Sequence, residues 1–183
     1  MAISPQIPDS AFGHALNLWT PAHPVLLQRL LNKHGNFEKA YRATAEKTKY
    51  IDVGGEFTKL EKLGIKLLSS QDKNYPKLLG AVPDSPALLY YRGSMDVTDE
   101  LSLAVVGTRR ASDYGRQATP RLVRPIAECG VTIVSGLAYG IDSFAHEATL
   151  ECSRKPSVII YHLTLEMVLV ISTFVRFSKY AEK

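Results

Sequence analysis

The sequence predicts an α/β protein, a doubly wound and mostly parallel sheet preceded by a small helical unit. Three observations carry that reading. Apolar residues recur at helical spacing from Ser10 to about Glu61. Two short runs, "LSLAVVG" and "TIVSG", are nearly continuous in apolar, β-branched residues, as strands buried on both faces of a parallel sheet require. From Leu101 onward the order is strand, loop, helix, strand, loop, helix, the pattern of right-handed crossovers.

The first elements are helices. In "HPVLLQRLLNKHG" the spacing puts Val25, Leu26, Leu30 and Leu31 on one face, and Gly35 after Lys33 and His34 is a C-terminal stop. "NFEKAYRATAEKTK" and "GEFTKLEKLGI" predict further short helices. Next comes "IKLLSSQDKNYPKLLGAVPDSPALLYYRG", where Pro76, Pro83 and Pro86 exclude a long helix. It predicts strands at Ile65 to Leu68 and Leu88 to Arg92 with an irregular link between them. Arg116 to Glu128 has helical character, although Pro120 and Pro125 fall inside it and each costs about 3 kcal/mol in a helix interior. A broken or bent helix is the expectation. The resulting organisation is a helical unit over 1–62, a lead-in over 63–98, a partial sheet domain over 99–161 and a divergent tail over 162–183.

Composition bounds the function. With 183 residues, 45% hydrophobic and 22% charged, the chain reads as an ordinary folded domain, neither disordered nor fibrous. A net charge of +4 permits an anionic partner without requiring one. Cys129 and Cys152 form no C-x-x-C pair and have no histidine at metal-ligand spacing, so neither a metal nor a structural disulfide is expected, and the compartment implied is the cytoplasm. "MAISPQIPDSAFGHALNLWTP" has neither a basic start followed by an apolar run nor a small-residue cleavage site, so export is not expected. "PSVIIYHLTLEMVLVISTFVRF" is long enough to span a bilayer, but His162 and Glu166 in its middle argue against it.

The chemistry lies in two loops. If the strands are parallel neighbours, "GTRRASDYG" and "SGLAYGID" emerge at the same sheet edge, where open α/β sheets bind ligands. Gly107 and Gly115 bracket the first, and Ser135, Gly136 and Gly140 mark the second, so backbone amides there are expected to approach an anion closely. The following helix N-termini add partial positive charge. Arg109, Arg110 and Arg116 offer forks for phosphate, and Tyr114 a face for a base. Asp142 reads equally as a plain helix N-cap. His146, one turn later, reads as an i,i+4 partner or a packing histidine. Neither loop is a Walker A or G-x-G-x-x-G sequence, and Ser135 with His146 is weak as a catalytic pair. No cofactor is expected.

"VVGTRRASDYGR" followed by "AECGVTIVSGLAYGIDSFAHEATL" closely resembles the paired signature of the DprA/Smf family of bacterial DNA-processing proteins. The lead-in resembles that family's approach to its Rossmann-like domain, and the residues before it resemble a SAM-like or helix-hairpin-helix-like domain. The resemblance covers roughly Ala11 to Glu151. It implies a partial Rossmann-like fold and a protein, not an enzyme, that binds and protects single-stranded DNA, loads RecA during natural transformation, and forms a homodimer. Arg109 would be a phosphate contact, with Gly107, Thr108 and Ser112 lining the same pocket and Ser135 to Asp142 forming its other wall.

After Glu151 the resemblance stops. The family is expected to continue with a "TIAVLG"-like strand, a "GLDxxYP" loop and an "FPxRNRIIAGLS" half-domain, none of which is present in "CSRKPSVIIYHLTLEMVLVISTFVRFSKYAEK". A truncated or frame-changed chain is the expectation, with the RecA and dimer contacts mainly in the missing part. "SVIIY" keeps the pattern of one more strand beside "TIVSG". The rival readings are a Rossmann-like nucleotide phosphoribohydrolase, disfavoured because its "PGGxGT" stretch is absent, and a non-functional gene fragment.

Overall fold

The computed structural model describes residues 7–20, 24–83, 85–93, 101–152, 158–160 and 168–172. The chain divides into two compact units, with the division between Tyr91 and Arg92. His162 and Glu166 lie outside the described residues, as does most of the tail.

The first unit contains α1 (Asp9–Trp19), α2 (Pro24–His34), α3 (Phe37–Ala43), α4 (Ala45–Thr48), α5 (Val53–Lys62), β1 (Lys66–Ser69), a single turn α6 (Lys77–Gly80) and β2 (Leu88–Arg92). Ala11, Ala15 and Val53 form its small-residue core, with Phe12, Tyr41, Ile51 and Phe57 packed around them. Small residues let α1 come close to α3: a Cβ at Gly13 would stand 2.8 Å from the Phe37 ring. Asp9 fixes the same approach, because its carboxylate accepts from the Phe37 and Glu38 amides at 3.0 and 2.8 Å. Those amides are orphan donors at the start of α3, and Asn36 takes a third, that of Lys39, at 2.9 Å.

The face of α2 differs from the predicted one. Leu27 and Leu31 are buried, whereas Val25 is 57% exposed. Five aliphatic residues within one short helix fit two neighbouring faces, and packing against α1 and α3 selects between them. Gly35 ends the helix as expected, with φ +86° and its amide donating to the Leu31 carbonyl at 2.8 Å. β1 and β2 pair antiparallel, Leu68 opposite Leu89. Beneath them the buried Tyr90 hydroxyl accepts from Asn17 Nδ2 at 3.0 Å and lies 2.9 Å from His14 Nδ1. Burial lowers the His14 pKa, so the imidazole is neutral and can accept the hydroxyl proton.

The second unit is built on β3 (Ser102–Ala104), α7 (Asp113–Glu128), β4 (Thr132–Ser135), α8 (Ile141–Cys152), β5 (Val158–Ile160) and β6 (Val168–Ser172). The strands are ordered β3-β4-β5-β6. β3 and β4 are parallel, as are β4 and β5, with Ser102 opposite Thr132 and Ile133 opposite Val158; β6 pairs antiparallel with β5. The α/β class read from the sequence is the class of the structure, and Val158–Ile160 of the "SVIIY" run do form a strand beside β4. Val123 and Ala127 of α7, Ile133 of β4, and Ala145 and Ala148 of α8 form the core.

Two expectations fail here. "LSLAVVG" is not buried on both faces: β3 stands at the end of the strand order, and Leu103 and Val106 are 40% and 71% exposed. Apolar continuity reports a strand, but its position in the sheet decides how much is covered. Of the broken or bent helix expected at α7, the break does not occur: the helix runs unbroken through Pro120 and Pro125. Thr119, Val123 and Ala127, spaced four apart, hold its buried face. The carbonyls deprived of donors belong to Arg116 and Arg121, both exposed residues, where water can replace the lost bond.

Among the described residues no helix is long and apolar enough to cross a membrane, and no group of His, Cys, Asp or Glu is placed to hold a metal ion.

Candidate nucleic-acid interface

Because β3 and β4 are parallel, the segments that follow them leave the same end of the sheet, and the structure brings them into direct contact. Ser135 Oγ donates to the Val105 carbonyl at 2.6 Å, tying the end of β4 to the residue after β3. The Ile141 amide donates to the Thr108 carbonyl at 3.3 Å. Asp142, 5% exposed, joins both loops at once: Oδ1 accepts from the Gly107 amide at 3.2 Å and Oδ2 from the Gly136 amide at 3.0 Å.

The glycines serve this loop-to-loop packing. A Cβ at Gly107 would lie 2.6 Å from Ile141 Cγ1, and one at Gly115 would lie 3.0 Å from Ile141 Cδ1. Gly140 has φ +85°, and a Cβ there would collide with the Thr108 carbonyl oxygen. The close approach the sequence suggested is therefore real, but its partner is the other loop. The Gly107 and Gly136 amides, expected to face an anion, face the carboxylate of Asp142 instead. For the same reason Asp142 is not an N-cap. It is the second residue of α8, and its side chain reaches across to the loops.

What remains outward is side chain. Thr108, Arg109, Arg110, Ser112 and Tyr114 are all exposed, Tyr114 by 81%. Arg109 and Arg110 have no acidic partner among the described residues. The Thr108 hydroxyl accepts from the Arg110 amide at 3.2 Å and shapes the turn that carries them. Ser112 is the N-cap of α7, its hydroxyl accepting from the Gly115 amide at 3.3 Å. Arg116 differs from its neighbours, since its guanidinium lies over the Phe144 ring, 5.6 Å from the centroid, and bridges α7 to α8.

Sequence reading missed two outward groups of the second loop. Tyr139 is 69% exposed, and Leu137 is held at φ +54°, a conformation that costs a non-glycine residue about 1 kcal/mol or more. The available signal was a leucine and a tyrosine in a loop otherwise made of small residues. Beneath the loops, His146 is 2% exposed and neither ring nitrogen has a hydrogen-bond partner among the described residues. Burial pushes its pKa down to about 4, against a smaller opposing effect of the Asp142 charge. With Ser135 bonded to Val105 and His146 unpartnered, no Ser–His pair forms.

Electrostatically the rim is cationic at its surface and acidic at its base. Asp142 already answers the N-terminus of α8 and Asp113 that of α7. An anion approaching from outside would meet the exposed guanidiniums of Arg109 and Arg110, on loops that also expose Tyr114 and Tyr139.

Comparison with known proteins agrees in one direction. Residues 66–164 match the family model described as DNA recombination-mediator protein A. The chain is 35% identical over 98 residues to DNA processing protein DprA of Bacillus subtilis, covering 53% of this chain and 33% of that protein. It is 39% identical over 92 residues to protein Smf of Escherichia coli, covering 50% of this chain and 25% of that protein. The solved structure of DNA processing protein A from Streptococcus pneumoniae is similar with a TM-score of 0.55 at 26% identity, covering 85% of this chain and 53% of that one. The chain thus spans a quarter to a third of the length of these curated relatives.

Proposed function

Since the chain belongs to the DprA/Smf family of DNA recombination-mediator proteins, we propose that its second unit binds single-stranded DNA along the rim made by the two loops. One observation carries this reading: Arg109 and Arg110, exposed and unneutralised, stand on a loop pinned to a second loop that exposes Tyr139. Guanidinium forks match phosphate oxygens, and aromatic faces stack on unpaired bases of any identity. Contacts of these two kinds go to phosphates and ring faces rather than to base edges, so binding tolerates sequence and favours single strands over duplex. The curated relatives named as DNA processing proteins support the same ligand class.

The rim supplies binding groups rather than a reaction centre, and the proposal is of a protein that holds its strand without cleaving it. We extend it to protection of the strand in natural transformation; loading of RecA by a homodimeric cytoplasmic protein is what the same resemblance implies for the family. The test is equilibrium binding of a fluorescent oligothymidylate by the intact chain and by Arg109→Ala. Loss of one charged contact is expected to weaken binding roughly tenfold at low salt. Equal affinities would reject the site.

A further inference from the structure

We infer that Asp142 is a positioning residue for DNA binding, a single buried carboxylate that sets the arginine-bearing loop and the tyrosine-bearing loop in register. The inference rests on the single-stranded DNA reading of the rim. Each carboxylate oxygen holds one loop, Gly107 on one side and Gly136 on the other. The pinned residues lie one to three positions before the outward groups: Arg109 and Arg110 follow Gly107, and Leu137 and Tyr139 follow Gly136. Alongside the Ser135–Val105 and Ile141–Thr108 bonds, this one side chain holds both loops at once and so helps to fix the spacing of guanidinium and ring along a bound strand.

Its chemistry is specific. Asparagine, almost the same size, has one acceptor oxygen and one NH₂ donor, so it can satisfy one loop amide only by turning a donor against the other. The carboxylate is buried with no cationic partner among the described residues, and its charge is met by the two loop amides and the N-terminus of α8. His146, one turn along α8, is neutral and makes no hydrogen bond to it. Holding two ligand-facing loops in place is what the arrangement accomplishes.

The experiment is a double-mutant cycle on the intact chain, with oligothymidylate affinity measured for wild type, Arg109→Ala, Asp142→Asn and the double variant. Asp142→Asn alone is expected to weaken binding by about tenfold, as expected for a lost charge-assisted bond. In the Arg109→Ala background its effect should be smaller, because one of the groups it positions is gone while Arg110 and Tyr139 remain. Full additivity, or wild-type affinity of Asp142→Asn, overturns the inference while leaving the DNA reading intact if Arg109→Ala is weak. Wild-type affinity of Arg109→Ala rejects the reading and, with it, the inference. Hydrogen exchange on the wild type guards against a variant that does not fold: the Gly107 and Gly136 amides should be protected relative to Thr108 and Leu137. Unprotected exchange at Gly107 and Gly136 would remove the bridge itself.

Discussion

Two aspartates, one in each unit, take two backbone amides apiece, and the contrast between them separates a contact that closes a helix end from one that joins the two loops of the proposed DNA rim. Asp9 reaches from α1 to the first turn of α3, where its acceptors satisfy consecutive orphan donors of one helix. Asp142 reaches from α8 to two loops that are distant in sequence. The first contact closes a helix end over the Gly13–Phe37 packing. The second ties together two loops, one of which carries exposed arginines two and three residues beyond the pinned Gly107. A similar contrast holds for the buried histidines: His14 meets the Tyr90 hydroxyl, whereas both nitrogens of His146 lack a hydrogen-bond partner among the described residues.

Substitutions can sharpen or break the contrast. The largest effect is expected from Gly140→Ala, which strains a residue at φ +85° and drives a methyl group into the Thr108 carbonyl. A loss on the order of 3 kcal/mol should appear in the unfolding midpoint, together with impaired DNA binding; a neutral result would mean that the loops are not packed on each other. Acid comes next. The native state prefers neutral His146, with a pKa of about 4 against an ordinary 6.5, so the unfolded chain takes up the proton first. Stability is fully present above pH 6.5 and falls as the pH drops toward 4, by up to about 3 kcal/mol from this group. His14 acts in the same direction. In pH-dependent urea unfolding, His146→Gln should flatten this dependence, and an unchanged profile would discount the buried imidazole.

Smaller effects separate the two aspartates. Asp9→Ala should lower stability by about 2 kcal/mol, since it strips two amides of a charged acceptor, but leave oligonucleotide affinity per folded molecule unchanged. A matching loss of affinity would erase the distinction drawn between the units. Smallest is Pro125→Ala on the exposed side of α7. It restores a helical hydrogen bond at some gain in unfolded-chain entropy and should raise stability by between about 1 and 2 kcal/mol. No gain in thermal midpoint would show that the helix has already relaxed around the ring.

Much of this was legible in the sequence. Leu88 to Arg92 and "TIVSG" declare strands by composition, Gly35 declares a helix end, and the βαβ alternation fixes that the loops of Arg109 and Gly140 emerge together. What was not legible is tertiary. A glycine announces that something comes close but not what: Gly107 and Gly140 suggested a ligand, and the structure puts the opposite loop there. Asp142 at the start of a helix has the identity and place of a cap, and only the fold shows it spanning two loops. β3 has the composition of a central strand and the exposure of an edge. The continuity of α7 depends on Thr119, Val123 and Ala127 packing well enough to outweigh its prolines, a balance that propensity alone gets wrong.

The central claim is that the paired guanidiniums of Arg109 and Arg110 contact the phosphates of a single strand. The most direct measurement is the slope of log affinity against log salt concentration for an oligothymidylate, in wild type and in a variant with both arginines replaced by alanine. Each phosphate contact on a single strand contributes about 0.7 to that slope. The account predicts a variant slope shallower by roughly 1.4, with weaker binding at low salt. Parallel slopes would contradict it.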